Sequence, residues 1–288
     1  MAKSATQKQL GPNDLIASHF TLTGTPAPAP PRFSFAQRVA AAAAAGFEGL
    51  GFFTGHWEDG LTAAQMRRIA DDHGIVVAEI EWLTDWWCDG ERGRNSRAAE
   101  QRMYEAAAAL GARHLSIAAV AHGEHPDPHA VAESFAALCE RADEHDLLVG
   151  IEFFPGSQTR DAAAAWDIAR WAGDNGGVLV DSWHYFRGAA NPAHLRAIPA
   201  HRIVAVQFDD ADREMVGTLY EDTTLRRRLP GEGSFDLVGF IRLLDEIGVQ
   251  APLSVEILSP EQQSLPVQEA ARRAHDTSRA VIARARET

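Results

Sequence analysis

No run in the chain approaches the ~18 consecutive apolar residues of a membrane-crossing helix, so the pattern excludes a helical membrane protein. The amino terminus, MAKSATQKQLGPND, has neither an apolar h-region nor a cleavage site; a cytoplasmic location is therefore expected. Cysteine is scarce. Cys88 and Cys139 stand far apart and in no CxxC pattern, which argues for free thiols in a reducing compartment rather than a disulfide. Basic charge is also in deficit: the formal net charge is −13, which disfavours binding to a phosphate backbone and suits a bound cation. After the first apolar run the chain reads TLTGTPAPAPPRFS, without the GxGxxG turn of a dinucleotide-binding open sheet. No glycine-rich phosphate cradle follows the last two apolar runs, which favours a non-phosphorylated substrate.

What is present is a repeated pattern. Eight short apolar runs begin at Leu15, Phe47, Ile75, His114, Leu147, Gly177, Ile203 and Pro252. Near-continuous Val/Ile/Leu runs of this kind are strands buried on both faces in a parallel sheet. Between them lie stretches with helical periodicity, such as SFAQRVAAAAAAG, closed by Gly46 at a C′ position. Strict alternation of strand and helix over 288 residues predicts one α/β domain, a single (β/α)₈ TIM barrel spanning residues 13–288. Residues 1–12 read as a flexible N-terminal tail, and the connection from Asp209 to Ser234 is long enough to be a functional loop.

In such barrels the chemistry sits at the C-terminal ends of the strands. Four consecutive apolar runs carry one polar residue each at matching depth: Glu152 in VGIEFF, Asp181 in VLVDSWH, Gln207 in VAVQFDD and Glu256 in LSVEIL. Buried carboxylates are costly unless compensated, and no Arg or Lys on the same strands compensates these. Three carboxylates and an amide oxygen converging on one axis suit a hard divalent cation, Mg²⁺ or Mn²⁺, with Co²⁺ or Zn²⁺ as alternatives. His184, three residues past Asp181, is placed to orient a substrate oxygen, while His19, Glu81 and His122 fall where the pocket should be. His56 and His125 read as loop surface. Of the run Arg226, Arg227, Arg228, at least one is expected in solvent, and one arginine from this loop, Arg228, can clamp a substrate carboxylate or hydroxyl; Arg187, in VDSWHYFRG, is a further substrate-binding candidate. Trp82, Trp86 and Trp87 suit either a pocket wall or packing.

The motifs GIEF, VDSWHYFRG, VQFDD, RRLPGEGSFD and LSVEIL together resemble the xylose isomerase-like barrel superfamily of sugar phosphate isomerases and epimerases, from the first strand to the last helix. The resemblance implies that Glu152, Asp181, Gln207 and Glu256 hold the metal. Ketose epimerases of that superfamily usually carry histidine at the position of Gln207; glutamine there resembles hydroxypyruvate isomerases and 3-dehydroshikimate dehydratases. Members of the AP endonuclease type carry several His-rich metal sites and a basic DNA face, and neither is evident here. The implied activity is isomerisation or epimerisation of a keto-polyol or keto-acid by proton abstraction next to a carbonyl, through a metal-stabilised enediolate. Glu152 and Glu256 would be the acid–base pair. A dehydratase of the 3-dehydroshikimate or inosose type, or a deglycosylating lyase on a keto-glycoside, shares that intermediate and needs one further acid, with His184 or His122 as candidates. The expected partner is a small carbohydrate-like molecule, without nucleic acid or membrane, and a homodimer or homotetramer is compatible with the resemblance.

Overall fold

Each of the eight apolar runs forms a parallel strand: β1 (Leu15–Ala17), β2 (Gly49–Phe53), β3 (Val76–Leu83), β4 (His114–Ile117), β5 (Leu148–Glu152), β6 (Gly176–Asp181), β7 (Ile203–Phe208) and β8 (Leu253–Val255). In this computed structural model, residues 9–57, 60–118, 120 and 123–287 are described. The strands pair in chain order and β8 closes on β1, with Ile16 opposite Ser254 and Ala17 opposite Val255. The expected (β/α)₈ barrel is therefore the observed one.

Outside the barrel run α1 (Phe35–Ala45), α2 (Ala63–Asp72), α3 (Gly90–Leu110), α4 (Pro128–Asp143) and α5 (Ala162–Ala169). They continue as α6 (Ser182–Arg187), α7 (Pro192–Arg196), α8 (Leu219–Leu225), α9 (Leu237–Ile247), α10 (Pro260–Ser264) and α11 (Val267–Arg286). Local sequence sets the ends of α1. The Ser34 hydroxyl accepts from Gln37 N–H while the Gln37 side chain accepts from Ser34 N–H, and Gly46 stops the helix at φ +102°. The apolar core fills the layer between strands and helices, where Phe35 and Val39 of α1 are buried in one cluster with Leu50 and Phe52 of β2. Burying each such side chain contributes about 1.5–3 kcal/mol.

The barrel interior is different. Ser254 of β8 donates to Glu79 of β3 at 2.6 Å, and these strands are not neighbours, so the bond crosses the axis. Of the tail expected at residues 1–12, residues 1–8 lie outside the described residues, whereas Leu10 is buried beside Ile16 and Ala78. Among the described residues, no helix is long and apolar enough to cross a membrane.

Candidate metal centre

Strand geometry brings the four sequence-selected residues together. Glu152 and Asp181 are the last residues of β5 and β6, Gln207 precedes the end of β7, and Glu256 follows β8. Asp181 is held at the start of α6, where its Oδ1 accepts from His184 N–H at 3.0 Å. That cap swings His184 inward, and its Nε2 lies 2.9 Å from Glu152 Oε1 and 3.9 Å from Asp181 Oδ2. Glu152, Asp181 and His184 each present a ligand atom, all within 4.8 Å of one another.

Gln207 is the informative member. Its carbonyl oxygen is turned toward Glu152 and Asp181, while its amide nitrogen donates to Glu256 Oε1 at 3.3 Å. The opposite orientation would let the nitrogen donate to Glu152 Oε1 at 3.1 Å and Asp181 Oδ2 at 3.2 Å, and protein groups alone would favour that. With its oxygen turned to the two carboxylates instead, the amide could share a cation with them.

The countercharge missing from the strands comes from the loop before α9. Arg227 is buried, and its Nη1 lies 2.7 Å from Asp181 Oδ2 and 3.1 Å from Glu256 Oε2, in contact with Asp209 as well. The strands carry no basic partner, as the sequence indicates; the loop supplies it. The guanidinium touches Asp181, Asp209 and Glu256, and Glu152 pairs with His184 instead, so the centre keeps an excess of negative charge when all four carboxyls are ionised. Burial pushes Asp181 up, but Arg227 and His184 outweigh it and hold its carboxyl below the usual range. Burial pushes Glu256 up to about 8, with Asp181 and Glu152 adding to the rise and Arg227 opposing it. For His184 burial acts downward, yet Asp181 and Glu152 leave it above the ordinary imidazole value. The donor set of three carboxylates and an amide oxygen fits a divalent ion, with His184 beside it.

A sequence profile of the xylose isomerase-like TIM barrel family matches residues 39–281. The chain belongs to this family. Among curated members of known name, a 3-dehydroshikimate dehydratase of Pseudomonas aeruginosa is 32% identical over 240 residues, covering 80% of this chain and 37% of that protein. An inosose isomerase of Bacillus velezensis is 29% identical over 156 residues, covering 53% of this chain and 55% of that one. The chain thus spans well under two thirds of the length of these relatives. Among solved structures of this xylose isomerase-like fold, the IOLI protein with a bound zinc atom superposes with a TM-score of 0.85 at 20% identity, covering 96% of this chain and 100% of that one.

Other residues singled out in the sequence fall elsewhere in this xylose isomerase-like barrel. His19 is buried with no open face: Nδ1 accepts from Arg38 Nη1 (3.1 Å) and Phe53 N–H (3.2 Å), so Nε2–H donates to His56 Nδ1 at 2.9 Å. His56, expected at the surface, is buried and bonded through Nε2 to Pro28 O at 2.7 Å. Glu81 lies inside the barrel beneath Glu256, bridged to it by Ser18. Arg187 spends its donors on Asp222 and the carbonyls of Asp212 and Arg213, which ties down the loop after β7. Arg228 is exposed and paired with Asp212 at 2.7 Å; the arginine of that run that enters the centre is Arg227. His122 lies outside the described residues. Trp86 is buried and donates to Ala118 O, whereas Trp82 is 40% exposed. Sequence reasoning passed over Arg227, Asp209 and Ser18; the acidic doublet at the end of β7 was the available signal for Asp209.

Proposed function

We propose that this chain is a divalent-metal-dependent lyase that removes water from a cyclic β-hydroxy ketone of the 3-dehydroshikimate type, after taking the proton next to the carbonyl. The observation that carries the chemistry is the convergence of Glu152, Asp181, Gln207 and Glu256 on one point, beside His184 and backed by Arg227. The preference for dehydration over isomerisation is supported by the likeness to the Pseudomonas dehydratase over most of this chain.

Glu152, Asp181, Gln207 and Glu256 would hold the ion, and His184, bonded through Nε2 to Glu152, would keep its proton outside the ligand set. A bound divalent ion polarises the substrate carbonyl and offsets the negative charge left when the neighbouring C–H bond is broken. Glu152 is the most accessible of the carboxylates, with 19% of its side chain exposed, and is the group proposed to take that proton. His184, bonded to Glu152 and held above the ordinary imidazole value, donates to the leaving hydroxyl, which departs as water as the C=C bond forms. Glu256, on the opposite side, orients the substrate through its carboxyl. Arg227 fixes Asp181 and Glu256 relative to each other and keeps both from turning away.

A second reading, isomerisation, is favoured by the likeness to inosose isomerases over half of the chain. It uses the same proton abstraction but returns the proton, from Glu256, to the adjacent carbon. Mass spectrometry after incubation of Mn²⁺-loaded protein with 3-dehydroshikimate and with an inosose separates the readings. Loss of one water marks the lyase, a mass-neutral new product the isomerase, and no turnover of either compound overturns both. Glu152→Gln should lower turnover by 10³-fold or so while the protein still binds Mn²⁺; wild-type turnover in that variant would exclude Glu152 as the base.

A further inference from the structure

The loop after β1 grips Glu256 at three points. Ser18 N–H donates to Val255 O at 3.0 Å on one side of Glu256. On the other side Ile257 N–H donates to Thr21 Oγ1 at 2.9 Å, and that hydroxyl itself donates to Val255 O at 2.8 Å. The third point is the side chain, where Ser18 Oγ lies 3.0 Å from Glu256 Oε1. The backbone of Glu256 is thus pinned before and after the residue, and the remaining freedom is rotation of its carboxyl.

Ser18 is held in turn from below. Glu81 Oε1 lies 3.3 Å from Ser18 Oγ and accepts from the adjacent His19 N–H at 3.1 Å. Glu81, Ser18 and His19 are all buried. Space for this carboxyl is made by the neighbouring strand β2: a Cβ on Gly51 would overlap the carboxyl oxygens of Glu81 and Glu79 and come within 2.9 Å of His19 N. Gly51 is needed here for close approach rather than for a turn. Of these groups only the Ser18 hydroxyl reaches a carboxyl of the centre, and the proposed chemistry uses none of them.

We propose that Ser18 and Glu81 are positioning residues for Glu256: the Ser18 hydroxyl, lodged between the two carboxyl groups, fixes the rotation of the Glu256 carboxyl at the centre. Glu256 Oε2 is engaged by Arg227 and Oε1 by Gln207 at 3.3 Å, the longest of its contacts, so Ser18 supplies the shorter bond on the Oε1 side. Groups behind a metal-holding carboxylate typically change metal affinity or activity 10–100-fold when removed. This inference rests on the metal reading proposed above.

The test is a Mn²⁺ titration of the whole protein, read by electron paramagnetic resonance, for the wild type and four variants, beside steady-state kinetics with 3-dehydroshikimate. Ser18→Ala and Glu81→Leu should weaken Mn²⁺ binding about 10-fold or more and lower kcat more than they change KM. Gly51→Ala, which displaces Glu81 without reaching the centre, should shift Mn²⁺ affinity in the same direction. Glu81→Gln keeps an oxygen for His19 N–H and a group for Ser18, and should stay within about 3-fold of the wild type. Should Glu81→Leu fail to fold, Ser18→Ala carries the test, since it removes one oxygen atom and no bulk. Wild-type Mn²⁺ affinity in Ser18→Ala overturns the proposal, as does a Glu81→Gln defect as large as that of Glu81→Leu. If the wild type itself binds no Mn²⁺, the metal reading fails and this one with it; if the wild type binds and the variants bind equally well, only this one fails.

Discussion

Arg227 shows how much one side chain carries here. Its guanidinium is buried against Asp181, Asp209 and Glu256, and its remaining donors go to Thr223 O and Oγ1. Removing one partner from a buried ion pair leaves uncompensated charge and typically costs about 3–5 kcal/mol. Arg227→Met should therefore lower the free energy of chemical unfolding by that order, and saturating Mn²⁺ should restore part of the loss because it brings positive charge to the same carboxylates. A variant as stable as the wild type would mean that the carboxylates are not ionised together. Arg227→Lys keeps the charge but loses the planar fork, so it should recover stability better than turnover. Gln207 is the converse case: a neutral side chain whose amide can either donate to Glu152 and Asp181 or turn its oxygen toward them and share a cation.

At the scale of elements, the loops after β1 and β2 are joined by a relay of hydrogen bonds from Arg38 through His19 and His56 to Pro28 O. His19 cannot accept a proton without losing one of these bonds. Burial, followed by Arg38 and His56, holds its pKa well below the ordinary 6.5. The unfolded chain then binds a proton below about pH 6.5 that the folded chain refuses. The stability contributed is complete above that pH and is lost as pH falls below it. Glu256 and His184, both raised, act with the opposite sign over this range, so His19 is read from a difference: from pH 7.5 down to 5.5 the urea midpoint of the wild type should fall relative to that of His19→Gln. A difference that does not change with pH would remove His19 from the account. His114, also buried and lowered chiefly by desolvation, acts with the same sign as His19 but in both proteins, so it cancels from the difference.

For the whole molecule, a barrel that gathers several carboxylates on its axis stores repulsion that a bound ion relieves. Ligand that binds only the folded state stabilises it by RT ln(1 + [L]/Kd), about 2.7 kcal/mol at a hundredfold excess over Kd. Exhaustive chelation should therefore lower the melting temperature, and added Mn²⁺ should raise it with a logarithmic dependence on concentration. Melting that is indifferent to both treatments would exclude an ion at this centre. Closure also explains the partition of side chains: apolar residues fill the layer under the helices, while Ser18, Glu79, Glu81, His114 and Ser254 occupy the interior below the site.

The sequence by itself determined the strand order, the barrel and the four polar residues at the strand ends. These follow from local periodicity and from the alternation of inward and outward positions along each strand, which the chain writes residue by residue. His184 was also legible, because Asp181 caps the turn that carries it. Only the tertiary structure decided which arginine of three enters the centre, that His19 and His56 close on each other instead of facing a substrate, and that Ser18 and Glu81 stand behind Glu256. Those choices depend on contacts between residues 37 to 238 positions apart in the chain. Proximity of that kind is created by pairing strands around the barrel, β1 with β2, β6 with β7 and β8 with β1, and no local pattern records it.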